Sequence, residues 1–195
     1  PALNPLHQEV LVELRDEYSI TDPGISPVWE EGVTPPPHAV DRDTAFRLIC
    51  ALNSVPHGVM AMSAEVKGLV ETSSNLASVK MQEGNTIRIG TSQRSSTNSA
   101  RHNAALRIES AFVLAGAEVT HESEYPGWKP SLKSHILEVC KESYRRLFGK
   151  EPVVRAIHAG LECGLFLDKY PHLDMISFGP TLRGVHAPGE RLDLA

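Results

Sequence analysis

The segment Tyr125-Pro-Gly-Trp-Lys-Pro130 constrains the fold most, because two prolines and a glycine in six residues exclude a helix interior and a central strand. Ordered elements must therefore form separately on its two sides, and the hydrophobic patterns there differ. Upstream, the periodicity alternates between helical stripes and antiparallel strand pairs. Downstream, it reads as helix, apolar strand, short helix, apolar strand.

In the upstream part, Leu6, Val10, Leu14 and Tyr18 share one face of a predicted helix over 6–18. Thr21-Asp-Pro-Gly24 is a turn, residues 25–31 are strand-like, and Val33-Thr-Pro-Pro-Pro-His38 is stiff and extended. Asp41 is expected to cap a helix to about Asn53, with Ala45, Leu48, Ile49 and Leu52 inward. Two strands, 66–81 and 85–93, should pair around Gln82-Glu-Gly84-Asn85, where a glycine is free to take positive φ. A Ser/Thr cluster at 95–99 should cap a long helix stopping at Gly116, with Ala104, Ile108, Phe112 and Ala115 as its stripe. A short strand is expected over 119–124. Helix, two strands, helix and strand make an α+β sandwich with an antiparallel sheet.

Downstream, Ser131 is the expected cap of a helix to Phe148, with Ile136, Cys140, Tyr144 and Leu147 on one face and Gly149 as its stop. Apolar strands are expected at 153–158 and 175–178 with a helix at 161–170 between them, a βαβ unit of a covered parallel sheet. The fold class is thus α/β, in two domains, 1–130 and 131–195.

Composition excludes several functions. A net charge of −5, without any Lys/Arg block, argues against a nucleic-acid partner. No apolar run approaches the ~20 residues that span a bilayer, and the first residues are not expected to act as a signal peptide. Three scattered cysteines without a CxxC pair suit a reducing cytoplasm. The missing initial Met is expected of a processed or excised piece. HExxH, GxSxG and P-loop templates are absent, and the nine histidines form no compact ligand set in sequence.

Two downstream loops can carry chemistry. His186 sits in Gly184-Val-His-Ala-Pro-Gly-Glu190, a rigid loop that suits a metal ligand or general base, against the plainer role of a surface histidine. His158-Ala-Gly160-Leu-Glu162-Cys-Gly164 lies where a strand turns into a helix, the edge at which α/β sheets bind ligands. Gly160 admits a ligand close to the backbone, and the helix start favours a carboxylate. Glu162 can equally serve the helix dipole, His158 a hydrogen-bonded core, and Cys163 small-residue packing. Upstream, Arg94 at a strand end can clamp a carboxylate or remain a solvated edge residue. Asn75 carries the same ambiguity.

Taken together, Glu71-Thr-Ser-Ser-Asn-Leu76, Arg94-Ser-Ser, Tyr125-Pro-Gly-Trp128, His158-Ala-Gly-Leu-Glu-Cys-Gly164 and Gly179-Pro-Thr…Gly184-Val-His186-Ala-Pro-Gly-Glu190-Arg closely resemble the bacterial cytosolic aminoacyl-histidine dipeptidases. These belong to the aminoacylase/carboxypeptidase-G-like two-zinc peptidases. The last motif usually reads His-Ser-Pro-Asp-Glu, and here is His186-Ala-Pro-Gly-Glu190. The resemblance implies a catalytic domain interrupted by a lid that also mediates homodimerisation. Residues 1–130 are similar to the later part of that lid, and 131–195 to the returning C-terminal part of the catalytic domain.

By the same resemblance, His186 matches the last zinc ligand, Arg94 a lid arginine on the substrate's C-terminal carboxylate, and Gly160 a backbone contact in the substrate pocket, with Glu162 beside it. The implied reaction is attack of a zinc-bridged hydroxide on a dipeptide amide. The family's other zinc ligands and its general-base Glu have no matching segment, so no catalytic residue is expected on this chain and inactivity alone is expected. A non-enzymatic dimerisation or peptide-binding module is the competing expectation.

Overall fold

The computed structural model describes residues 3–28, 34, 38–124, 126–129, 131, 133–157 and 162–193. They fall into two compact units, Pro1–Asp41 and Arg42–Ala195.

In the first unit, helix α1 spans Leu3–Glu17. Leu11 and Leu14 are its half-buried apolar residues, whereas Leu6, Val10 and Tyr18 from the expected face are exposed. A unit this small has too little partner surface to cover a full stripe. The turn forms as expected, with Asp22 N–H donating to Tyr18 O and Ile25 N–H to Asp22 O. His7 Nε2 lies 3.1 Å from Pro27 O. Residues 25–28 are not a strand; the remainder of that expected strand, and most of the proline run, lie outside the described residues.

The second unit begins with α2 (Arg42–Ser54), then β1 (Gly58–Met62), β2 (Val70–Gln82), β3 (Thr86–Ser95) and α3 (Asn98–Leu114). The strands form one antiparallel sheet in the order β1-β2-β3. β2 and β3 pair from Thr72↔Ser95 to Gln82↔Thr86. A three-residue turn of 3-10 helix, Glu83–Asn85, joins them, with Gly84 at φ 75°, the positive φ expected of that glycine, and Asn85 also left-handed at φ 58°. Ala77 is an extra residue between the pairs Leu76↔Thr91 and Ser78↔Gly90. This bulge puts Leu76 and Val79 on one face although three positions separate them.

That face is covered. α3 packs on β2 and β3, and α2 packs on α3. Ala51, Val55, Ile108 and Phe112 form the core, with Leu52, Ile89, Ala111, Ala115 and Val119 against it. On α2 Ala51 is buried and the expected Ala45, Leu48 and Leu52 are half-buried, while Ile49 is exposed. The short β1 has no counterpart in the sequence reading. It pairs with β2 through two register shifts, so its alternation is broken. Segment 119–124 forms no strand: Val119 turns into the core and the residues after it have no ladder.

After the Pro-Gly segment, α4 spans His135–Phe148 and α5 spans Glu162–Lys169. The cap of α4 is Ser134, not Ser131; its buried Oγ accepts from Leu137 N–H at 3.1 Å. Asp174 Oδ2 accepts from Ile136 N–H at 2.9 Å, so the helix start is capped from two directions. Gly149 ends the helix at φ 66°. Its half-buried apolar residues are Leu137, Cys140 and Tyr144, while Leu147 of the expected face is 71% exposed.

The mixed α/β class holds, but the βαβ unit is not formed among the described residues. Residues 153–157 and 175–178 carry no ladder, and Val153 and Phe178 are 77% and 87% exposed. Apolar runs mark a tendency to be buried. They do not supply the neighbouring strand that a ladder needs. A small hairpin, β4 (Leu182–Arg183) with β5 (Arg191–Leu192), closes the unit.

Candidate functional site

On β3, Ile89 lies against the core and Ser95 is buried, so the alternating residues Ser92 and Arg94 project from the opposite, uncovered face. The register places Ser73 across from Arg94 and Asn75 across from Ser92. Arg94 and Asn75 are therefore diagonal neighbours on one open polar face. Both are exposed. Among the described residues the Arg94 guanidinium has no hydrogen bond or ion pair, so its planar fork remains available to a carboxylate.

The Pro-Gly-Trp segment holds the end of β3 to the later elements by close backbone approach. A Cβ on Gly127 would stand 2.6 Å from Ser96 O and 2.7 Å from Ser95 O. Its N–H donates to Asn98 Oδ1 at 2.9 Å, in the first turn of α3. One residue back, Pro126 O is met by Gly164 of α5, where a Cβ would stand only 2.7 Å away. Lys129 Nζ bonds Glu65 Oε1 at 2.6 Å, and that acceptor holds the ammonium pKa above its ordinary value. The segment read as a boundary is thus packed on both sides. Nothing in the sequence reading assigned Gly127 and Gly164 this role; a Pro-Gly-Trp and a Glu-Cys-Gly in one chain were its only signals.

Glu162 is the first residue of α5 and is exposed, in the position that suits the helix dipole. Gly160 and His158 lie outside the described residues. His186 occupies the loop between β4 and β5 in a left-handed conformation, φ 64°. Its N–H donates to Glu190 Oε2 at 3.2 Å, and Ala187 N–H and Glu190 N–H close two further turns. Arg183 grips Asp193 beneath the loop, Nε to Oδ2 2.9 Å and a terminal nitrogen at 2.8 Å. The backbone around His186 is held while its ring is exposed. Among the described residues no group of three or more His, Cys, Asp or Glu side chains could hold a metal. One imidazole does not meet zinc's need for several ligands, so these residues alone do not fit that ion. Among the described residues no helix is long and apolar enough to cross a membrane.

No family model matches the chain. It is 42% identical over 156 residues to the cytosol non-specific dipeptidase of Escherichia coli K12, covering 80% of this chain and 31% of that protein. Its structure matches that of the aminoacylhistidine dipeptidase from Vibrio alginolyticus with a TM-score of 0.78 and 37% identity, over 98% of this chain and 39% of that one. The chain corresponds to a C-terminal portion of a dipeptidase. It spans about a third of the curated relative's length. The two relatives are dipeptidases by name, which matches the resemblance carried by the five motifs.

Proposed function

We propose that this chain contributes the substrate-carboxylate anchor and one metal ligand to a cytoplasmic zinc dipeptidase that hydrolyses Xaa-His dipeptides. The observation that carries the reading is the unpaired Arg94 guanidinium on the open face of the sheet, within a chain so similar to two dipeptidases. Residues 1–130 belong to the lid and 131–195 to the catalytic domain. Arg94 binds the dipeptide's C-terminal carboxylate, and Gly160 and Glu162 border its pocket. His186 supplies one ligand to a site of two zinc ions, and the remaining donors come from elsewhere in the assembled enzyme. The protein works as a homodimer through the lid.

The test is hydrolysis of β-alanyl-histidine with zinc, by this chain and by the full-length polypeptide that contains it. Activity in the full-length protein and none in residues 1–195 is the expected result. Activity in the isolated chain would show that it holds the whole site. Absence from both would leave the competing reading, a dimerisation or peptide-binding module.

A further inference from the structure

The backbone just beyond Arg94 is held by hydrogen bonds and by close packing. The buried Ser95 hydroxyl lies 2.9 Å from Thr72 Oγ1 and accepts from Thr97 N–H at 3.1 Å. Ser96 N–H donates to Glu71 O at 3.2 Å. These bonds stay within the sheet and its turn. The carbonyls of Ser95 and Ser96, however, press against Gly127 so closely that only a glycine fits there. On the other side of that segment, the Pro126 carbonyl packs against buried Gly164, two residues past Glu162. The strand end that carries Arg94 and the start of α5 are thus separated by one layer of backbone, Pro126-Gly127. Two side chains hold this layer. Lys129 pairs with Glu65, but both are largely exposed and water screens them. Asn98 acts at the layer itself: its Oδ1 accepts the Gly127 N–H at 2.9 Å, across 29 positions of sequence.

We propose that Asn98 is a positioning residue for substrate binding. Through Gly127 it fixes the distance between the Arg94 strand end and the start of α5 at Glu162, and so fits the site to a dipeptide's C-terminal carboxylate. This rests on the reading of Arg94 as the carboxylate anchor, and adds to it the group that sets where the anchor stands. A guanidinium makes two parallel bonds to a carboxylate only when the two planes meet in register. A small shift of the strand end against α5 therefore weakens that grip. The weakening is equal in ground state and transition state, so it falls on KM and not on kcat. Asn98 opens α3 and is exposed, so its own truncation leaves no cavity in the core.

The experiment measures steady-state kinetics of the full-length dipeptidase that contains this chain, on β-alanyl-histidine and on its C-terminal amide. Asn98→Ala, Asn98→Asp and the double variant Arg94→Ala/Asn98→Ala are compared with the parent and with Arg94→Ala. Asn98→Ala is expected to raise KM for the dipeptide about threefold to tenfold, the worth of one hydrogen bond, with kcat unchanged. Turnover of the amide should stay at the parent level. Asn98→Asp keeps an acceptor oxygen and should restore the parent KM. The double variant should bind the dipeptide no worse than Arg94→Ala, because a displaced anchor matters only while the anchor exists. Equal losses on both substrates, or a loss that persists without Arg94, would overturn the proposal, since a merely structural asparagine predicts both. Should Asn98→Ala fold poorly, Asn98→Ser, one atom shorter in reach, carries the comparison. A second readout needs no activity. In the 195-residue chain, amide exchange at Gly127 should quicken severalfold in Asn98→Ala and not in Asn98→Asp. Equal exchange in parent and Asn98→Ala would also overturn the proposal. A full-length parent without β-alanyl-histidine hydrolysis would instead sink the dipeptidase reading, and the role of Asn98 with it, whereas an active parent indifferent to Asn98→Ala sinks only the latter.

Discussion

At the scale of single residues, two glycines decide how the motifs meet. Gly164 sits inside α5, where a glycine costs about 1 kcal/mol relative to alanine. Replacing it with alanine would recover that amount if space allowed. Its Cβ, however, would stand 2.7 Å from the backbone oxygen of Pro126, a group that cannot swing aside as a long side chain does. Overpacking of this kind costs about 1–3 kcal/mol, so the clash outweighs the gain in helix propensity. Gly164→Ala is expected to lower the thermal midpoint by a few degrees, measured by circular dichroism. A higher midpoint would mean that Pro126 yields and that the contact does not hold the motifs together. His186 shows the complementary case: its backbone conformation and loop bonds are set within the loop, but its chemical role depends on partners outside it.

At the scale of elements, the α2 to α3 stretch was largely legible in the sequence, and the part after residue 130 much less so. Gly84 marked the hairpin turn, and Ala104, Ile108 and Phe112 marked the buried stripe, because each signal and its consequence lie within a few residues. The apolar runs at 153–158 and 175–178 spoke only of burial, and their ladder partners are not decided locally. The cap of α4 was misplaced for a related reason. Ser131 and Ser134 look alike in sequence, but Asp174, thirty-eight residues beyond Ile136, reaches back to the start that Ser134 caps. Its carboxylate is held below the usual pKa of 3.8, first by the Ile136 N–H and then by the Ser134 hydroxyl. A lowered native pKa adds stability at pH values above the unfolded value, and that stability is lost as pH falls through the native one. Asp174→Asn should therefore lower the melting temperature at pH 7 and make its decline below pH 4 shallower than in the parent chain. Parallel acid profiles for the two proteins would exclude Asp174 as a tether.

At the scale of the whole molecule, the open face of the sheet matters because substrate binding and catalysis can be separated on it. Arg94 is legible in sequence as a strand-end cation, but its companions are not. Only the register shows that Asn75 lies diagonally beside it and that Ser73 lies opposite. If the guanidinium holds the substrate's terminal carboxylate in ground state and transition state alike, its loss raises KM and leaves kcat nearly unchanged. Lysine keeps the charge but not the two-pronged geometry. In the full-length dipeptidase, Arg94→Lys is expected to raise KM for β-alanyl-histidine about tenfold, which corresponds to about 1.4 kcal/mol, and Arg94→Ala more. A dipeptide amide without the terminal carboxylate should be turned over equally poorly by the parent and by both variants. That last comparison is decisive, because a purely structural arginine would lower the rate on both substrates by the same factor.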